Sequence, residues 1–327
     1  MSFPLPILSF QKYLFSIMMT GPTLLPPYKG SALHGGISYA FKRAVCVMTH
    51  GQCDECPLSD NCSYYSLFCY HNSPSGRGVP HAYVLQPPQT ERRAFDVGDE
   101  LSFAVILIGK ATSLWKLLLF AVKFLGESDG IGRHIDGKRG RFLLKNVDSI
   151  GINRQNIRVY SKEDDFLHDN PITLTSDDFL RQNELSATNR TSIDEARLQF
   201  LTPVRFVKDE PEQKKLLTSL TFESFLRELI RRLGDLSEAY CDGSRIDFNL
   251  FSQQASAVVA DNSGLFWHDW ERYSHSQSFR MKLGGLLGAL SLSGDIEPFM
   301  PYLRLGEWLH VGKNTTFGLG QYKLILN

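Results

Sequence analysis

The sequence predicts an α+β chain built as two tandem ferredoxin-like βαββαβ domains. Three observations carry that expectation. At 327 residues the chain is too long for one ordinary core. The order strand, helix, two strands, helix, glycine-rich stretch, strand can be read twice along it. Each reading puts its glycine-rich stretch, at 130–141 and at 312–320, just before the last strand.

Residues 10–19 are rich in β-formers and read as the first strand. Residues 20–30 (TGPTLLPPYKG) form a proline- and glycine-laden loop. Ser31 is then expected to cap a helix in which Leu33, Ile37, Phe41 and Val45 recur every four residues and share a stripe. His34, Tyr39, Lys42 and Arg43 fall on its other faces. Gly35 and Gly36 each weaken the first turn by about 1 kcal/mol relative to alanine, so something is expected to pack closely there.

Cys46, Cys53, Cys56 and Cys62 follow, with Cys69 further on. Four thiolates suit a tetrahedral structural zinc, and Cys53-x2-Cys56 is a common half of such a site. An iron–sulfur cluster is the less favoured alternative, reduced and buried cysteines without metal the plain one. His50 and His71 flank the group as alternative ligands. Residues 81–85 and 101–108 read as strands, and Ser113 caps a helix that Gly126 ends. The loop at 130–141 carries Arg133, His134, Lys138, Arg139 and Arg141, the densest basic run in the chain, and a strand follows at 142–147. The first domain is placed at 1–190, with a cysteine-rich insertion at about 46–69.

The second domain, 191–327, begins with an alternating strand at 197–206. Thr221 caps a helix over 222–233, residues 246–259 resist assignment, and 281–292 reads as one strand bent by glycine. A helix at 296–309 leads into Gly312, Lys313, Asn314, Thr315, Thr316, Gly318 and Gly320, and then Tyr322, Leu324 and Leu326 alternate as the final strand. Such a loop can cradle phosphate through its N–H groups and lysine, or simply make a tight connection. The Walker spacing is absent.

Formal net charge is zero, so any nucleic-acid footprint must be local. No apolar run reaches membrane-spanning length, and the start reads as a strand rather than a signal peptide. Few, clustered cysteines favour a reducing compartment, with cytoplasm expected.

Several stretches resemble the CRISPR-associated endoribonucleases that process precursor crRNA, members of the RAMP superfamily. They are GSALHGGISYAFKRAVC at 30–46, CDECPLSDNCSYYSLF at 53–68, FDVGDELSFAVILIGKA at 95–111, FLTPVRF at 200–206, RYS at 272–274, MKLGGLLGAL at 281–290 and HVGKNTTFGLGQYKL at 310–324. The resemblance implies two RRM-like domains and metal-independent cleavage of repeat RNA. A 2′-hydroxyl attacks the adjacent phosphate to leave a 2′,3′-cyclic phosphate and a 5′-hydroxyl. It implies a histidine on or near the first helix, which makes His34 the candidate, with Tyr39 and Lys42 beside it in sequence. The chain departs from many relatives, which have arginine near His34 and histidine near Tyr39. RNA contacts are expected from Lys29, Arg43, Arg133, Lys138, Arg139, Arg141, Arg272, Gly312, Lys313, Asn314, Gly318 and Gly320. The expected partners are repeat RNA and crRNA, other effector subunits and no membrane, with the chain a monomer or weak homodimer. Two further readings are a non-catalytic RAMP subunit that binds crRNA, and a zinc-stabilised interaction protein.

Overall fold

The computed structural model describes residues 3–48, 52–69, 78–187, 193–209, 214–269, 271–274, 279–282 and 284–326. The chain divides into two units, one of residues 9–174 with 239–241, the other of 1–8, 175–238 and 242–327. The main break falls at 174/175, where the sequence reading placed the boundary at 190/191. The start of the chain is stitched to residue 176: Leu8 N donates to Ser176 Oγ at 3.0 Å, and Ser176 Oγ donates to Pro6 O at 2.5 Å.

The first unit contains β1 (Ser9–Met19), α1 (Gly30–Val45), α2 (Ser63–Phe68), β2 (Tyr83–Gln86), β3 (Glu100–Ile108), α3 (Trp115–Phe124), β4 (Ile131–Ile135), β5 (Lys138–Gly140), β6 (Phe142–Ile150) and β7 (Asn156–Ser161). Its main sheet runs β7-β6-β1-β3-β2, with β1 antiparallel to both neighbours. Alternation along β1 sends Tyr13, Phe15 and Ile17 to one face. There they bury against Leu33, Ile37 and Phe41 of α1 and Leu118 and Val122 of α3. Each such fully buried side chain contributes about 1.5–3 kcal/mol. The stretch at 130–141, expected as a loop, is instead the hairpin β4–β5.

The second unit contains α4 (Ser176–Ala187), β8 (Glu195–Val204), α5 (Phe222–Tyr240), β9 (Val259–Asp261), β10 (Leu265–His268), β11 (Gly285–Ser293), α6 (Met300–Leu309) and β12 (Tyr322–Leu326). Its sheet runs β12-β8-β11-β9, with β10 also paired to β11. In the second unit the first strand lies between the last strand and β11, and the run β6-β1-β3-β2 of the first unit, extended at its edge by β7, has the same ferredoxin-like order. Thr221 caps α5 as expected: Ser224 N donates to Thr221 Oγ1 and Thr221 N donates to Ser224 Oγ, both at 3.1 Å. α5 runs past the expected end at 233, because Leu236 continues its buried stripe beyond Gly234. The single strand expected over 281–292 is two, Phe279–Lys282 and β11. The unassigned stretch after 246 holds a one-and-a-half-turn helix, Ser252–Ala257, before β9. No helix among the described residues is long and apolar enough to cross a membrane.

Candidate functional site

α1 begins directly after Lys29, whose residue is its N-cap in place of the expected Ser31. Lys29 is buried, and its Nζ donates to Pro27 O at 2.9 Å, Thr90 O at 2.6 Å and Pro26 O at 3.4 Å. Burial pushes this ammonium's pKa down, with Glu91 opposing. A lysine that directs its protons to backbone oxygens cannot also reach phosphate, which corrects its assignment to RNA binding.

The helical repeat then separates the predicted catalytic residues. His34, Ser38 and Lys42 recur every four positions and look toward α2. Ser38 Oγ lies 3.3 Å from Tyr64 Oη, and Lys42 Nζ lies 5.3 Å from the Tyr64 ring centre. A hydrogen bond to the Cys53 thiol holds the Lys42 pKa up, with burial opposing. His34 Nδ1 is 2.7 Å from Tyr83 Oη; its ring stacks on Tyr83 at 6.2 Å and meets Phe68 edge-on at 6.4 Å. The imidazole thus forms part of the wall of a small apolar cavity with Ile37, Leu67, Phe68, Tyr83 and Leu85. Tyr39, five residues on, is rotated by about 140° around the helix and is 55% exposed. Arg43 accompanies it, already paired with Asp129 at 2.7 Å and lying over the Phe124 ring at 4.9 Å. So the structure brings His34 and Lys42 to the α2 side of the helix and leaves Tyr39 on another.

That other side carries the hairpin. Asp136 and Gly137 both have positive φ, as a two-residue type I′ turn requires, and Ile135 faces Lys138 across it. The base has no room for extra atoms. A Cβ on Gly132 would meet Leu24 O at 2.5 Å, and one on Gly140 would overlap Thr23 Oγ1. Strand Thr23–Leu24, which these glycines abut, also pairs with Ala94–Phe95. On α1, a Cβ on Gly36 would lie 3.1 Å from the Leu125 side chain and 3.5 Å from that of Ile131, so the expected close packing is at Gly36, against Leu125 and the hairpin base, while nothing lies within 4 Å of a Cβ at Gly35. Beyond this clamp Arg133, His134, Lys138, Arg139 and Arg141 are exposed. Among the described residues none of the five makes a side-chain hydrogen bond or ion pair.

The terminal glycine loop closes on itself. Gly312, Gly318 and Gly320 have φ of +80°, +89° and +72°, and Asn314 adopts +63°. Lys313 N donates to Arg205 O at 3.1 Å, Gly318 N to Thr315 O and Gly320 N to Pro203 O at 3.0 Å each. Thr202 Oγ1 donates to Gly318 O at 2.8 Å. Gly318 and Gly320 are buried with their amides engaged, so the expected phosphate cradle is corrected there. Only Lys313 of the predicted loop residues is fully exposed; Gly312 and Asn314 are half-buried. The loop's visible work is to bind the end of α6 to β8, helped by buried Arg232, which donates to Leu309 O and His310 O. Arg272 lies on strand Glu271–Ser274, its side chain outside the described residues.

The five cysteines of the insertion are half-buried thiols, none in a disulfide. Burial first, then Cys53 beside it, pushes the Cys69 pKa up to about 12. Among the described residues no three or more His, Cys, Asp or Glu side chains gather as a metal site, so the set Cys46, Cys53, Cys56 and Cys62 is not assembled. Contact runs between Cys53 and Cys69 instead. His50 and His71 lie outside the described residues.

A family model described as an N-terminal domain matches residues 5–172. The model of the CRISPR-associated endoribonuclease Cas6 matches residues 198–322. The Cas6 model covers 125 of the chain's 327 residues, its C-terminal part. A relative from Archaeoglobus fulgidus, described as an uncharacterized protein, is 21% identical over 92% of either chain. A chain of a partial Cas6-RT-Cas1–Cas2 complex superposes at TM-score 0.63 and 15% identity; all of the present chain is covered, and it spans 47% of that longer chain. A Cas6 product complex gives TM-score 0.55 at 13% identity, covering 97% of this chain and all of that one. Thermus thermophilus Cas6 gives 0.53 at 12%, covering 97% and 99%. At such identities these likenesses speak for the fold alone.

Reasoning from sequence found the hairpin's cations but missed two residues, one beside His34 and one beside the hairpin. Tyr83, the partner of His34, sits in a short strand with no motif to mark it. Arg93, exposed just before the Ala94–Phe95 strand, adds a cation to the small sheet that carries the hairpin. Its signal, a charge in a loop, is common to many solvated residues.

Proposed function

We propose that this chain is a Cas6-type endoribonuclease that cleaves CRISPR repeat RNA in precursor crRNA without a metal, through attack of a ribose 2′-hydroxyl on the adjacent phosphate. The observation that carries this reading is the hairpin: five exposed basic side chains, without partners among the described residues, in a chain of zero net charge. Such a cluster grips a sugar–phosphate strand. RNA held there runs along the side of α1 that presents Tyr39, whose phenol can donate to a phosphate oxygen. His34 and Lys42, the other sequence candidates, support that helix from the α2 side. Cas proteins that handle the product are the expected protein partners.

Incubating the protein with its own repeat RNA in EDTA and mapping the ends tests the reading. A 2′,3′-cyclic phosphate and a 5′-hydroxyl are expected; uncut RNA, or cutting only with added metal, refutes it. One observation favours a second reading, a non-catalytic RAMP subunit that holds crRNA: the α1 imidazole has Nδ1 engaged by Tyr83 and sits in an apolar wall. That reading expects tight repeat binding with no cut strand at any pH.

A further inference from the structure

We infer that His134, on the basic hairpin, supplies the imidazole that acts on the scissile phosphodiester. The inference rests on the endonuclease reading above. Cleavage through a 2′-hydroxyl needs a proton acceptor beside that hydroxyl and positive charge beside the phosphorane. Imidazole meets the first need near neutral pH.

Six histidines lie among the described residues, and their surroundings separate them. His310 is fully buried, its Nδ1 3.1 Å from Leu319 O. His34 is held by Tyr83, and half-buried His81 packs on the same tyrosine ring at 6.0 Å. His168 is exposed, but Asp164 lies 3.8 Å away and repels a phosphate. His268 is exposed at the end of β10, next to Asp269. His134 alone of the six lies within a cluster of unpartnered cations: Arg133 precedes it, and Lys138 and Arg139 return along the other strand. The two-residue turn and the clamped glycines fix that strand pair against Thr23–Leu24, as a reacting group needs.

In the proposed step an unprotonated ring nitrogen of His134 takes the proton of the 2′-hydroxyl as that oxygen bonds to phosphorus. The bond from phosphorus to the 5′-oxygen breaks, and the leaving oxygen gains a proton from the imidazolium or from water. Arg133 and Arg139, on the same hairpin, would offset the phosphorane's extra negative charge. No electron is transferred and no other atom is added.

The test is single-turnover cleavage of the repeat RNA in EDTA by the full chain. His134→Ala is expected to slow cutting by about 10²–10⁴-fold with little change in RNA affinity. Its pH–rate profile should lose a limb that the parent protein shows, and added imidazole should restore part of the rate. His168→Ala, an exposed histidine outside the cluster, is expected to cut like the parent protein. A His134→Ala protein that binds and cuts at the parent rate overturns the inference and leaves the endonuclease reading intact. So does one whose rate loss is fully explained by lost affinity. A parent protein that binds repeat RNA but never cuts it overturns both.

Discussion

Replacing Arg133, Lys138, Arg139 and Arg141 together by alanine tests whether the hairpin is the place where phosphate is gripped. All four are exposed and make no side-chain hydrogen bond or ion pair among the described residues, so their removal breaks none there. Each cation that neutralises a phosphate on a single strand adds about 0.7 to the slope of log affinity against log salt. Four such contacts give a slope change of about 2.8. Between about 50 and 200 mM salt that is a loss of about 50-fold for the parent protein which the variant should not show. The assay is fluorescence anisotropy on a 2′-O-methyl repeat RNA, which binds but cannot be cut, across a potassium chloride series. The variant is expected to bind more weakly at low salt and to lose most of the slope. An unchanged slope would refute the reasoning, because it would place the phosphate contacts elsewhere on the molecule.

Other outcomes follow from single positions. Lys29→Met should lower stability in urea melts by about 1.5–3 kcal/mol, since the carbonyls of Pro27 and Thr90 lose their charged donor; a neutral result would mean that water or the chain replaces it. Gly140→Ala should lift the hairpin from Thr23 and weaken RNA binding toward that of the four-alanine variant, with far-UV circular dichroism unchanged. Lys12, on β1 between Ile106 and Ile150, has its pKa lowered by burial from 10.5 to about 8. Below about 8 it is charged in both folded and unfolded chains, and the fold bears the full desolvation cost. Stability should therefore rise as pH climbs from 8 to 10.5, by at most about 1.4 kcal/mol per pH unit, and Lys12→Met should abolish that rise.

The architecture was legible because both halves repeat strong local signals. The alternation in β1 and β8, the four-residue stripes of α1 and α5, and the Thr221 cap all agree with the sheets that form. The short strands β9 and β10 escaped notice because three or four residues cannot show a period. The hairpin had a readable signal that was passed over: Asp136-Gly137 between Ile135 and Lys138 is the pair a type I′ turn demands. The site was less legible for a different reason. Closeness in sequence made His34, Tyr39 and Lys42 look like one group, but the helical repeat puts Tyr39 well around from His34. The fate of Lys29 was invisible, since the oxygens that hold it include Thr90, sixty-one positions away.

Zero net charge and an RNA partner are compatible because of where the acids are placed. Asp129 takes Arg43, Asp148 takes Arg158, Asp165 takes Lys123 and Asp169 takes Lys116, at 2.5–2.9 Å. Glu223 takes Arg227, and Asp235 lies between Arg231 and Arg245. Each pair adds little to stability, because most are exposed. Their larger effect is on the field outside the molecule, where paired charges cancel within about a Debye length. The hairpin has one acid, Asp136, in its turn, against four Lys and Arg side chains. A polyanion approaching the first unit therefore finds its net attraction concentrated at β4–β5. Bulk charge counts both populations equally and so conceals that asymmetry.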